Sequence, residues 1–113
     1  MGSKPKYLVH RRNELKKLYY VVLYILREAS SIEIYNYITN HNLIGKRLRM
    51  RDKRSIAHSM NFVSNTKYDH KLKKWFIIDR NKEFTPRELE IYQQIVTGER
   101  IGYAYRRREK GRV

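Results

Sequence analysis

The sequence predicts a mainly α domain with one small β-hairpin, an α+β chain. Three observations carry that expectation. Apolar residues recur at the helical period in segments ahead of residue 66, a β-favouring run occupies 75–78, and an unusually complete helix start follows at Thr85. A length of 113 residues suits one core and is too short for two.

In the first helix, predicted over 12–29, Leu15, Leu18, Tyr19, Val22, Ile25, Leu26 and Ala29 form one stripe. Val21, Leu23 and Tyr24 fill the other side, so this helix should be covered on more than one face. In "SSIEIYNYITNHN", Ser30 and Glu33 have capping-box spacing, and Ile34, Tyr37 and Ile38 give an apolar stripe. The second helix, 31–41, contains no Lys or Arg. Asp52 is a good N-cap for a third helix over 53–65, with Ile56, Met60 and Val63 directed to the core.

"TKYDHKLKKWFIID" predicts a hairpin with Tyr68 on one arm, a polar tip at 69–71, and Trp75, Phe76, Ile77 and Ile78 on the return. A fourth helix starts with Thr85 as N-cap, Pro86 at its first position and Glu88 three residues after the cap, and Gly98 stops it. Leu89, Tyr92 and Val96, flanked by Ile91 and Ile95, make its apolar face too wide for a helix lying alone. The expected organisation is a basic arm (1–11), the main domain (12–80), a terminal helix (81–98) and a basic tail (99–113) with no clear period, expected to be partly disordered in the free protein.

Lys plus Arg number 26 against 11 Asp plus Glu, a formal net charge of +15. Such an excess repels itself in a compact body, and a polyanionic partner is its usual reason; nucleic acid comes first, an acidic membrane surface second. The absence of cysteine excludes disulfides and thiolate metal sites. The longest apolar run, "LYYVVLYIL", falls well short of the roughly 20 residues that span a bilayer, and the basic start lacks the apolar stretch of a signal peptide. A soluble, cytoplasmic, nucleoid-associated protein is expected.

The charge is zoned. Residues 46–54 hold six basic residues and one acid, 67–74 four and one, 1–12 four and none, and 100–113 six and one, whereas 28–45 hold two acids and no Lys or Arg. Opposite the apolar stripe of the third helix, Arg54, His58, Asn61 and Asn65 share a narrow sector at 100° per residue, with Ser55 and Phe62 at its margin. A merely solvated face would usually be Glu and Lys. Arginine can donate two hydrogen bonds to guanine and asparagine can read adenine bidentately, so these residue types suit base readout. Lys46, Arg47, Arg49, Arg51 and Lys53 are expected on phosphates, Lys71, Lys73 and Lys74 on the flanking backbone or minor groove, and Arg106, Arg107 and Arg108 along a groove as an arm.

The order of elements over residues 12–80, carried by "SSIEIYNYI", "DKRSIAHSMNFVSN" and "KYDHKLKKWFIID", resembles the winged-helix branch of helix-turn-helix proteins. With its terminal helix the chain resembles dimeric PadR-type regulators and small DNA-binding proteins of archaeal plasmids and viruses. The loop "NLIGKRLRMR" departs from the tight turn of that group. The resemblance implies that the third helix lies in the major groove, that the hairpin is a wing on the flanking backbone, and that the terminal helix joins two subunits through Leu89, Tyr92, Ile95 and Val96.

The expected function is therefore sequence-preferring binding of double-stranded DNA by a homodimeric transcriptional regulator. A DNA-organising or plasmid-partition protein that spreads along DNA is the first alternative. An RNA-binding protein is the second, since "YAYRRR" could stack on unpaired bases through Tyr103 and Tyr105. No enzyme, cofactor or metal is expected: His10, His41, His58 and His70 have no metal-ligand spacing, and neither a phosphate-cradling glycine loop nor a nucleophile elbow occurs.

Overall fold

Helix α1 (Lys6–Leu26) organises the fold. The structure, a computed structural model, describes residues 6–41, 43 and 53–97. Six consecutive residues of α1, Leu18 to Leu23, are buried, so the helix is covered all round its middle, as its two-sided apolar pattern predicts. It starts earlier than expected and ends earlier too. Arg27 takes φ 76 while its N–H still donates to Leu23 O at 2.8 Å, a left-handed stop that a non-glycine residue adopts at some cost.

That stop redirects the chain into strand β1 (Glu28–Ala29), which the sequence reading missed by extending the helix to Ala29. Helix α2 (Ser31–Asn40) follows with the expected capping box: Glu33 N–H donates to Ser30 Oγ at 3.2 Å, and Ser30 N–H to Glu33 Oε1 at 2.9 Å. Ile34 and Ile38 are its buried anchors. Burying an isoleucine side chain contributes roughly 1.5–3 kcal/mol, so these two residues outweigh the cap in holding α2 to the core.

Helix α3 (Lys53–Met60) is shorter than the predicted 53–65. After His58 the bonding changes step: Asn61, Phe62 and Val63 N–H donate to His58, Ser59 and Met60 carbonyls, each three residues back. This tightening ends the helix and turns residues 61–65 off the 100° progression. Ile56 and Met60 are buried and Val63 is partly so, as expected. The expected cap Asp52 and the expected stop Gly98 lie outside the described residues.

Strands β2 (Thr66–Asp69) and β3 (Lys74–Ile77) form the predicted hairpin, with Tyr68 opposite Trp75 and Asp69 opposite Lys74. Its tip is built by Asp69, whose carboxylate accepts from Lys71 N–H at 2.9 Å and Leu72 N–H at 3.1 Å, while Lys73 turns at φ 58. Strand β1 pairs antiparallel with β3, giving sheet order β1-β3-β2. Ala29, Trp75 and Tyr68 form one cross-strand row, with Ala29 and Trp75 buried.

Helix α4 (Pro86–Thr97) begins at its predicted capping box, with Glu88 N–H on Thr85 Oγ1 and Thr85 N–H on Glu88 Oε1. It packs on α1. Ile91 is fully buried, Tyr92 meets Tyr24 and Phe84 with ring centroids 6.2 and 5.5 Å away, and Arg87 Nε donates to Glu14 at 2.8 Å. The Arg80 guanidinium lies 4.0 Å from the Tyr24 ring centroid and donates to Tyr24 O, closing the hairpin's exit against the end of α1. The described residues make an α+β fold of four helices and a three-stranded antiparallel sheet. Among the described residues no helix is long and apolar enough to cross a membrane.

Candidate nucleic-acid interface

Burying Ile56 and Met60 leaves the opposite side of α3 outward. Ser55 and His58 are exposed there, and Asn61, which the sequence reading put on the helix, is exposed in the turn just beyond its end. Lys53 and Arg54 stand in the first turn of α3, but their side chains lie outside the described residues. So do Lys46, Arg47, Arg49 and Arg51, the tail arginines Arg106, Arg107 and Arg108, and Tyr103 and Tyr105.

His58 and Asn61 border a cleft of about 540 Å3 between α3, the start of α2 and the hairpin. Ser31 and Ile32 line it from α2, and Tyr68, His70, Lys73 and Trp75 from the hairpin. Three aromatic groups are in contact along the hairpin side: Tyr68 lies 5.0 Å from Trp75 and 4.9 Å from His70 between ring centroids. The β1 strand brings this about. By pairing with β3 it ties the hairpin to the α1–α2 junction, which places the tip beside α3.

The predicted hairpin cations separate. Lys71 and Lys73 are exposed at the tip, whereas Lys74 is half-buried and its Nζ lies 3.6 Å from Glu33 Oε2. Lys74 thus links the hairpin to α2 and is a partly neutralised charge.

Asn65 is a correction. It lies beyond the end of α3, at φ 64, and its side chain is used internally. Nδ2 donates to Tyr20 Oη and to Asp79 O, both at 2.9 Å, and Oδ1 accepts from Asp79 N–H at 3.0 Å. An amide so committed has its donors and acceptor satisfied by the fold, and reading a base would break those bonds. The helical projection failed here because it assumed a regular helix through residue 65.

Phe62, at the margin of the projected sector, stands out more than the sequence implied. It is 65% exposed, its ring centroid is 5.4 Å from that of His58, and Lys16 Nζ lies 5.8 Å from its centroid. A second concavity, about 570 Å3, lies between α1 and α3 and is lined by Leu15, Lys16, Tyr19, Ser55, His58, Ser59 and Phe62. Lys16 on α1 was therefore missed as a neighbour of the α3 surface. Its doublet with Lys17 was the available signal. Burial of Tyr19 at this junction pushes its phenol up to about 12.

Of the four residues expected to join subunits, Tyr92 and Ile95 pack partly against the chain's own core. Leu89 and Val96 are 44% and 58% exposed. Ile91, named in the sequence only as a flank, is fully buried and anchors α4 together with Tyr92 and the Arg87–Glu14 pair.

Chemically the surface offers hydrogen-bond donors and acceptors, exposed rings and lysine charge. Among the described residues no group of three His, Asp or Glu side chains could hold a metal ion. Comparison with protein-family models, with curated proteins and with solved structures gives no match to this chain.

Proposed function

We propose that this chain is a winged-helix protein that binds double-stranded DNA as a homodimer and regulates transcription. The observation that carries the proposal is that exposed His58 on α3 and Asn61 in the turn just after it face the hairpin's His70 and Lys73 across one cleft. A B-DNA major groove about 12 Å wide admits a helix, and a projecting hairpin beside that helix meets the flanking backbone. The net charge of +15 supplies the attraction, and Lys71 and Lys73 place part of it at the tip.

In this reading Ser55, His58 and Asn61 face base edges together with Arg54, and the basic approach through Lys46, Arg47, Arg49, Arg51 and Lys53 holds phosphates. Leu89 and Val96, one face of α4 at a spacing of seven residues, supply the apolar contact between subunits. A two-fold dimer then reads half-sites about one helical turn apart.

Binding of the full chain to duplex DNA, single-stranded DNA and double-stranded RNA of one sequence, across a salt series, tests this. Preference for the DNA duplex is expected. Tenfold tighter binding to RNA at every salt concentration would replace the proposal with the RNA reading.

A further inference from the structure

Beyond the α3 face, and resting on the DNA reading above, we infer that the junction of α1 and α4 is a second backbone-binding surface, in which Lys16, Lys17 and Lys82 clamp phosphate and Phe62 packs on the adjoining sugar and base edge. These three lysines, Asn13 and Phe62 line a cleft of about 240 Å3 that runs from the end of α3 to the start of α4. The acid at its rim, Glu88, has one carboxylate oxygen committed to the Thr85 N–H, so it serves the cap of α4.

Gathering three ammonium groups around one small cleft costs repulsion unless an anion offsets it. Among the described residues none of the three lysines takes part in a salt bridge; the described partner of Lys16 is the ring of Phe62. A tethered anionic chain is the occupant that charge complementarity selects, because the cleft is continuous with the α3 surface. His58 borders both the hairpin-side cleft and the α1–α3 concavity, and Phe62 borders both that concavity and the lysine cleft. An uninterrupted strip therefore leads from Lys73 past His58 and Phe62 to Lys16 and Lys82.

The two lysine groups stand on opposite sides of the α3 face, as the two phosphate backbones stand on opposite sides of a major groove. The hairpin would hold one strand and the α1–α4 cleft the other. Phe62, exposed between the Lys16 ammonium and the His58 ring, offers its face to the sugar–base edge at the groove's rim.

The test measures binding of the full chain to a mixed-sequence duplex of about 25 base pairs while salt is varied, since each phosphate contact contributes about 0.9 to the slope of log K against log salt. The combined Lys16→Gln, Lys17→Gln, Lys82→Gln variant is expected to lower that slope by about 2 to 3 and weaken binding at low salt tenfold or more. Phe62→Ala should weaken binding several-fold with the slope unchanged. Arg27→Gly, which removes one exposed charge at a position already at positive φ, should leave the slope as it is. If the wild-type chain binds but the triple variant keeps its slope, the second surface is overturned and the α3 reading stands. An equal loss per charge from Arg27→Gly would overturn it as well, by showing a general charge effect. Absence of duplex binding by the wild-type chain would remove the DNA reading and this inference together.

Discussion

The side-chain amide of Asn65 pairs with the backbone of Asp79 as a strand partner would, donating to its carbonyl at 2.9 Å and accepting from its N–H at 3.0 Å. The backbone joins in, with Ile78 N–H on Asn65 O at 2.9 Å, and Tyr20 Oη on α1 accepts the second amide proton. One residue thus closes the base of the hairpin and fastens it to the central helix.

Asn65→Ala is expected to destabilise the protein by about 3 kcal/mol, since it removes three side-chain hydrogen bonds and places a Cβ-bearing apolar residue at φ 64. Asn65→Gly keeps the conformation accessible and should cost about 1 kcal/mol less. Chemical denaturation of both variants measures the difference. Equal midpoints for Asn65→Ala and the wild type would show that the clamp carries no stability.

Specificity and affinity should separate across the cleft. Asn61→Ala and Arg54→Ala should change which sequence a random-duplex selection recovers, with about 1–3 kcal/mol lost on the preferred one. Lys71→Ala should weaken all sequences alike. Lys73 is better replaced by Asn, because its φ of 58 would burden alanine with a conformational cost unrelated to binding. Uniform weakening by every variant would mean that α3 does not read bases.

The subunit contact is tested at the exposed positions of α4. Leu89→Asp with Val96→Asp should give a folded monomer by sedimentation, since both side chains are largely solvent-exposed in the single chain. Tyr92→Asp would instead disturb the cluster of Tyr24, Phe84 and Tyr92 and lower stability. A double variant that sediments as a dimer would place the interface elsewhere.

Alkaline pH should unfold the protein through Tyr19. Burial raises its phenol from the ordinary 10.0 to about 12, so the unfolded chain releases this proton first. The stability linked to Tyr19 is fully present below pH 10 and is lost as pH rises through about 12, amounting to about 2–3 kcal/mol. Tyr19→Phe keeps the buried ring without the ionisable group. Its unfolding free energy should fall less steeply over that window, and parallel curves would assign the alkaline transition to other groups.

How much could be read in advance depended on whether the signal was local. The capping boxes of Ser30 with Glu33 and Thr85 with Glu88 are three-residue interactions, so α2 and α4 were legible at their starts. The apolar run around Leu18 to Leu23 announced a helix covered on all sides because burial follows from hydrophobicity whatever covers it. Among the candidate site residues, Ser55, His58, Lys71 and Lys73 are exposed, and Asn61 is exposed but lies past the end of α3.

The sequence by itself determined the helical periods, the caps, the hairpin and the zoning of charge, since each is a property of neighbouring residues along the chain. Only the tertiary structure decided the two-residue strand β1, which has no propensity signal and exists because Arg27 breaks α1 beside a free edge of β3. It also decided that α3 stops at Met60, that the Asn65 side chain bonds to the Asp79 backbone, and that Lys16 on α1 reaches the ring of Phe62 in the turn after α3. The Asn65 and Lys16 contacts depend on partners 14 to 46 residues away, which bond energies can favour but no local period can announce.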